Sequence, residues 1–301
     1  MGALARALAL CALGASAYGQ ENAADALAQR YQALLATPTR MVSVGIPVWV
    51  SSRDDGNKVE GDVYAQLEQP FDNLMARLGV AAEWCQVALL HLNVKTCTSE
   101  RAAGRDWLTF YSGRKEFQPP EKAFPLRFAY QKVDVSAGHL EISLDADNGP
   151  FGTHDYRIRL GAIPLARGSF VHVSYSFRSS TLSRMATSAY LATLGRSKSG
   201  FTRVDAGRDA APEYVGGMRG IVERNAVRYY FAVQAYLESA NLPQGKRFEA
   251  ATERWFELTE RFALQLHELD RQEYLSAKRM EWDEQMRHQR ALEAPGAGVR
   301  P

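Results

Sequence analysis

The sequence predicts an α+β fold, an antiparallel sheet followed by long helices. Three observations predict it. Five segments between residues 105 and 177 alternate apolar and polar side chains, the pattern of strands with one buried face. Their links carry Pro119-Pro120, Asn148-Gly149-Pro150 and Arg167-Gly168, which suit turns, so neighbouring strands should pair antiparallel. After Phe177 the pattern becomes helical.

The chain has 301 residues, of which 46% are hydrophobic and 10% aromatic. That suffices for one large domain with a substantial core. With 36 basic and 34 acidic residues the net charge is +2, which gives no electrostatic basis for nucleic-acid binding.

Residues 1–19 read as an export signal: Arg6 is a thin positive start, Ala7 to Leu13 a short apolar run, and Ala15-Ser16-Ala17 and Ala17-Tyr18-Gly19 small-residue cleavage sites. The run is shorter than the ~20 apolar residues of a membrane anchor. A lipoprotein signal with Cys11 lipidated competes with this reading, but the bulky Leu10 before the cysteine disfavours it. A cytosolic protein with an apolar start is a further alternative. No later segment is long and apolar enough to cross a membrane, so a periplasmic or secreted protein is expected. Removal of the signal leaves Cys85 and Cys97. In an oxidising compartment they read first as a disulfide, worth about 3 kcal/mol in the loop-entropy account. The alternative is a Cys85 nucleophile paired with His91, for which no orienting third group is evident.

The elements follow in order. Asn22 to Leu35 is Ala- and Leu-rich and helical, within a helical segment over 20–40. Pro47 to Ser51 and Lys58 to Leu67 are extended and flank Asp54-Asp55-Gly56-Asn57, a hairpin signal. Pro70-Phe71 opens a short helix with Leu74 and Leu78 on one face, and a second short helix carries Trp84 and Cys85. The chain then turns extended through His91, Asn93, Lys95 and Cys97. Strands are expected over Arg105 to Gly113, Pro125 to Val135, His139 to Ala146, Thr153 to Ile163 and Ser169 to Phe177. Ser183 to Thr193 is a helix, Gly195 to Ala211 a polar loop, and Gly217 to Ala240 a longer helix. Lys246 to Arg290 is about 45 residues of helix-forming sequence, roughly 65 Å if unbroken. In it Phe248, Ala251, Trp255, Leu258 and Phe262 form an apolar stripe, whereas Arg271 to Arg290 is so charged that it should protrude or fray. The α+β domain spans 41–242, the helical extension 243–291 and a disordered tail 292–301.

No phosphate loop, nucleophile elbow or zinc motif is present in the sequence. Asp145, Asp147 and Asn148 lack calcium-loop spacing and read as a hairpin tip. No cofactor and no metal are implied.

The order of elements, with the strand and helix of Val59 to Leu78 and Trp84 beyond them, resembles the helix-grip fold of START-like lipid-transfer domains and their relatives. The resemblance covers roughly Val59 to Ala240. It implies a curved sheet wrapped around the Gly217 to Ala240 helix, with a hydrophobic or amphipathic ligand between them. Two departures from it are the extra helix and loop of Ser183 to Ala211 and the helical extension.

Candidate ligand contacts fall into four groups. Val222, Ala226, Tyr229, Val233 and Leu237 share the helix face that should pack on the sheet, while Arg224 and Arg228 lie one turn apart on another face. Like charges at that spacing repel and invite an anion, either a protein carboxylate or a ligand head group such as that of an anionic lipid. Arg219 and Glu223 are also one turn apart and should pair. His91, Asn93 and Lys95 alternate along one strand face. Gly195-Arg196-Ser197-Lys198 is a basic loop that suits a phosphate or is simply a solvated surface. Tyr111, Lys115, Tyr130 and Tyr175 lie on strands and can line a cavity or belong to the core. Three functions compete, in this order: an exported carrier of a hydrophobic or amphipathic molecule; a module docking a protein partner through the helix over 246–270; and an enzyme of cyclase or hydrolase type using Glu223 or His91 as base.

Overall fold

In the computed structural model the described residues are 23–37, 42–43, 46–180, 199–204 and 213–294. The expected export signal, the Ser183 to Thr193 helix, Arg196, Lys198 and residues 295–301 of the expected tail lie outside them. Nine strands form one antiparallel sheet: β1 (Val42–Ser43), β2 (Ile46–Asp54), β3 (Lys58–Leu67), β4 (Val94–Ala102), β5 (Arg105–Ser112), β6 (Phe124–Val135), β7 (Leu140–Asn148), β8 (Thr153–Pro164) and β9 (Ser169–Ser179). The spatial order is β1-β2-β3-β9-β8-β7-β6-β5-β4. Strands β4 to β9 are thus the expected meander. It joins β3 through the β3–β9 pair, in which Val63 faces Val173. The β2–β3 hairpin turns at Asp54-Asp55-Gly56-Asn57, where Gly56 has φ +87° and the Asp55 carboxylate accepts from the Lys58 amide at 2.6 Å. Two-residue strands β10 (Arg203–Val204) and β11 (Glu213–Tyr214) pair separately.

Helices α2 (Phe71–Leu78) and α3 (Glu83–Leu90) carry the chain from β3 to the far edge at β4. A bond between Cys85 and Cys97 ties α3 to β4, so Cys85 is no free nucleophile. Trp84 Nε1 and the Tyr130 hydroxyl both donate to the Leu78 carbonyl at the end of α2, at 2.8 and 3.0 Å. On the outer face of the sheet a helix over residues 23–35 (α1) seats Leu27 and Leu34 against Trp49, Ile163 and Phe170.

The inner face grips α4 (Gly217–Ser239). Val222, Ala226, Tyr229, Val233 and Leu237 are buried as expected, but so are Glu223, Arg224, Arg228 and Gln234 on the other sides. The helix is covered all round because a second layer closes over it, α5 (Gln244–Glu260) and α6 (Ala263–Leu266), while α7 (Arg271–Glu293) packs on α5, α3 and β4. The 45-residue helix-forming stretch is therefore three helices. The second break is enforced by a capping box, with Asp270 accepting from the Glu273 amide at 2.8 Å. The apolar stripe is buried inside the molecule: Ala251, Trp255 and Leu258 are covered, and Trp255 donates to the Arg228 carbonyl at 3.1 Å and stacks on Tyr274.

Helix α7 does not protrude. It lies along β4, the sheet edge, and its polar side chains satisfy that edge. The Cys97 amide donates to Gln285 at 2.9 Å, and Gln289 bonds both the amide and the carbonyl of Ser99 at 2.9 Å. An open edge is a template for unwanted strand pairing, and here a helix covers it. Beside it Glu281 bridges Lys95 and Lys278 at 2.7 Å each, all three fully buried. Both lysines also donate to backbone carbonyls, Lys278 to those of His91 and Val94. Burial lowers the Lys278 ammonium to about 8, with Glu281 opposing the shift.

The helix meets the sheet closely at Gly61, where a Cβ would stand 2.5 Å from the Val222 carbonyl oxygen. Gly61→Ala should therefore cost about 1–3 kcal/mol of stability in urea unfolding; an unchanged midpoint would contradict the close approach. A lysine whose folded pKa is depressed binds fewer protons folded than unfolded between the two pKa values, so stability rises with pH there. The stability of the wild type relative to Lys278→Met should rise from about pH 8 towards pH 10. Parallel profiles would contradict the burial of a charged Lys278.

Candidate functional site

Between the sheet and α4 the packing leaves a cavity of about 150 Å³. Its wall comes from β5 and β6 (Phe110, Ser112, Leu126, Phe128), the β7–β8 turn (Pro150), β8 and β9 (Tyr156, Tyr175), the start of β4 (Asn93, Val94), the end of α3 (His91) and α4 (Asn225, Tyr229). These positions follow from the pleat and the helical repeat: Phe110 and Phe128 are inward residues of their strands, and Asn225 and Tyr229 lie one turn apart on α4. Tyr175 keeps accessible surface although protein surrounds it, as a side chain facing a void does.

His91 caps α3 rather than sitting on a strand with Asn93 and Lys95, so the expected alternating face does not exist. Its ring stacks on Tyr229 with centroids 4.7 Å apart. The Asn93 amide donates to Nδ1 at 3.2 Å. A nitrogen that accepts carries no proton, so in the neutral ring the proton is on Nε2. Burial, then the positive charges of Arg228 and Lys278, hold the ring well below the usual histidine range. Nε2 is buried beside the Asn225 carboxamide, which favours the protonated ring without overcoming burial. Tyr175 and Tyr229 have their phenols pushed up by burial. Every polar group of the wall is thus neutral, and none is a carboxylate or an ammonium.

The arrangement can hold a guest and offer it hydrogen bonds, but it is not built to remove protons. The His91 lone pair is engaged by Asn93. Glu223, the other candidate base, is fully buried away from the cavity and accepts four bonds: from Ser52 at 2.6 Å, from the Thr202 hydroxyl at 2.7 Å, and from the amides of Phe201 and Thr202 at 2.6 and 2.9 Å. It clasps residues 199–204 to α4 and β2. Arg219 meets it through an intermediary, donating to the Ser52 hydroxyl at 3.0 Å.

The remaining sequence candidates sit elsewhere. Arg228 reaches Glu268 at 3.0 Å, both buried, and Lys115 holds the other oxygen of Glu268. The Nε of Arg228 is buried without a partner. Arg224 donates to the Ser199 carbonyl at 3.2 Å. Lys95 belongs to the Glu281 cluster, Tyr130 to the Leu78 carbonyl, and Tyr111 lies towards His288 of α7. Of the thirteen named ligand candidates, the cavity brings together His91, Asn93 and Tyr175. Sequence reasoning missed Ser112 and Asn225 and assigned Tyr229 to packing. The signal for Asn225 was a polar residue one turn from Tyr229 on the sheet-facing side.

The cavity shares Ser112 and Pro150 with a groove of about 690 Å³ at the molecular surface, lined also by Arg114, Phe117, Lys122, Phe124 and Phe151. Phe151 is 94% exposed there. A groove of about 290 Å³ on the outer sheet face, beneath α1, is strongly charged, but many of its charges are engaged: Lys58 with Glu60, Arg157 with Asp145, His172 with Asp62. Among the described residues no helix is long and apolar enough to cross a membrane, and no group of three or more His, Cys, Asp or Glu side chains is placed to hold a metal ion.

No protein-family model and no curated protein matches the sequence. Solved structures with a similar arrangement include a STAR-related lipid transfer protein from Xanthomonas axonopodis (17% identity, 51% of this chain and 89% of that one, TM-score 0.32). Human STARD10 matches at 12% identity over 56% of this chain and 74% of that one, TM-score 0.33. Norcoclaurine synthase from Thalictrum flavum matches at 12% identity over 52% and 91%, TM-score 0.31. Likenesses this distant say nothing of what the chain binds. The strand order and the gripped α4 are themselves the helix-grip architecture.

Removing one member of a buried ion pair strands the other. Glu268→Leu should cost about 3–5 kcal/mol in chemical unfolding, and adding Arg228→Met should restore a large part of it. A Glu268→Leu variant as stable as wild type would show that Arg228 does not depend on this carboxylate.

Proposed function

We propose that this chain is an exported carrier that holds a hydrophobic or amphipathic small molecule between the sheet and α4. The observation that supports it is the cavity itself. An otherwise closely packed core leaves a void of about 150 Å³ walled by Phe110, Leu126, Phe128, Tyr156, Tyr175 and Tyr229. Such apolar pockets with a few placed polar groups are the usual form of small-molecule sites. The adjoining groove, with exposed Phe124 and Phe151 beside Arg114 and Lys122, suits a guest that has both apolar and polar parts. The Cys85–Cys97 bond suits an oxidising compartment, as the signal-like start of the sequence does.

A catalytic reading finds less support, because Glu223 is saturated and His91 has its lone pair engaged. A docking role for α5 finds less support because Trp255 and Leu258 are covered by the chain's own helices.

Native mass spectrometry of protein taken from the cell envelope tests the carrier reading. A bound small molecule is expected, and Ser112→Trp, which crowds the junction of cavity and groove, should reduce its occupancy at least tenfold with an unchanged melting temperature. Occupancy that survives Ser112→Trp would place the guest elsewhere.

A further inference from the structure

Resting on the carrier reading above, we infer that the guest is a single-chain amphiphile with an anionic head, held with its tail end in the void under α4 and its carboxylate or phosphate at Arg114 and Lys122 on the rim of the surface groove. Shape sets the first limit. The void of about 150 Å³ and the groove of about 690 Å³ meet at Ser112 and Pro150. At ~30 Å³ per methylene, close to a water's share of liquid volume, the void takes on the order of five carbons. A longer chain leaves it past Ser112 and runs along the groove, where there is room for the rest of the tail and for a head.

Charge sets the second limit. The residues lining void and groove include two cations, Arg114 and Lys122, and no acid. Among the described residues neither cation has an ion-pair partner, whereas the adjacent Lys115 is engaged by Glu268. Glu116 and Glu121 flank them in sequence but do not line the groove. Gln118 ties both cations into one loop: its side-chain oxygen accepts from the Arg114 amide at 3.1 Å, and its nitrogen donates to the Lys122 carbonyl. Both cations are exposed. An anionic head at the rim gains charge-assisted contacts and keeps part of its hydration, while the same head in the void would lose its water with no counter-ion to meet it. That fixes the orientation, tail inward and head at the rim.

Exposed apolar surface sets the third. Phe151 is 94% exposed and Phe124 39% exposed, and both line the groove with the half-buried Phe117. A cluster of water-facing aromatic rings marks a surface that something covers. Phe151 stands in the β7–β8 turn with φ +57°, a left-handed conformation that bulky residues seldom adopt. Strained backbone of this kind gathers at ligand clamps. An alkyl chain laid along the groove covers these rings and brings its head to the two cations beside them.

Five probes test this on the disulfide-bonded chain by calorimetric or NMR titration below their aggregation concentrations: decanoate, decyl phosphate, 1-decanol, decyltrimethylammonium and butyrate. The expected result is saturable one-to-one binding of decanoate or decyl phosphate, about tenfold tighter than each of the last three; which anion leads tells a carboxylate guest from a phosphate one. The double variant Arg114→Gln/Lys122→Gln should weaken the better anion about tenfold and leave 1-decanol unchanged, and added salt should act in the same sense. Its melting temperature verifies that it folds, and the five-probe ranking on the wild type stands without it. If 1-decanol or decyltrimethylammonium binds as tightly as both anions, the inference is overturned and the carrier reading stands. Butyrate matching decanoate would take the tail out of the void, and anion binding that the double variant leaves unchanged would place the head elsewhere; either overturns the inference. Failure of all five probes overturns it as well, and if protein from the cell envelope is also empty, the carrier reading falls with it.

Discussion

The structure depends on burying α4 on every side. A helix that carries Glu223, Arg224 and Arg228 among Val222, Ala226, Val227 and Val233 has no solvent face to offer, so each charge needs a partner from another element. Gly61 lets the helix backbone press onto β3, and α5 and α6 close the opposite side. The partners come from that second layer and from residues 199–204: Glu268 for Arg228, the amides of Phe201 and Thr202 for Glu223. The segments beyond the gripped helix are thus part of what makes the grip possible.

The same constraint accounts for the C-terminal helix. The edge strand β4 exposes backbone donors and acceptors. Lys278, Glu281, Gln285 and Gln289 meet them or brace them, and Tyr274 adds a bond to the Leu90 carbonyl at 2.8 Å. Lys278 also bonds the carbonyl of His91, the residue that faces the cavity. The edge cover, the two-lysine cluster and the cavity wall are therefore physically contiguous around the end of α3.

Much of this was legible in the sequence. Period-two alternation marked β5 to β9, the Asp-Gly turn marked the first hairpin, and Cys85 and Cys97 marked their bond. The charged stretch from Arg271 was misread for a physical reason: its buried face is polar, bonded to backbone, and hydropathy cannot separate such a face from a solvated one. Arg228 invited an anion in the sequence, but its partner Glu268 is 40 residues away and past two helix breaks. His91 and Tyr175 were recognisable as site candidates by residue type. Ser112 and Asn225 were not, because only the packing of β5 and α4 brings them to one void.

The central claim is that the packing around α4 holds His91 neutral, with its proton on Nε2. Long-range proton–nitrogen NMR of the histidine side chains, followed as the pH is lowered from 8, tests it most directly. The account predicts that His91 is neutral at pH 7, with Nε2 protonated, and gains its second proton only well below the ordinary histidine range. A His91 ring that titrates near the ordinary value of 6.5, or carries its proton on Nδ1, would contradict it.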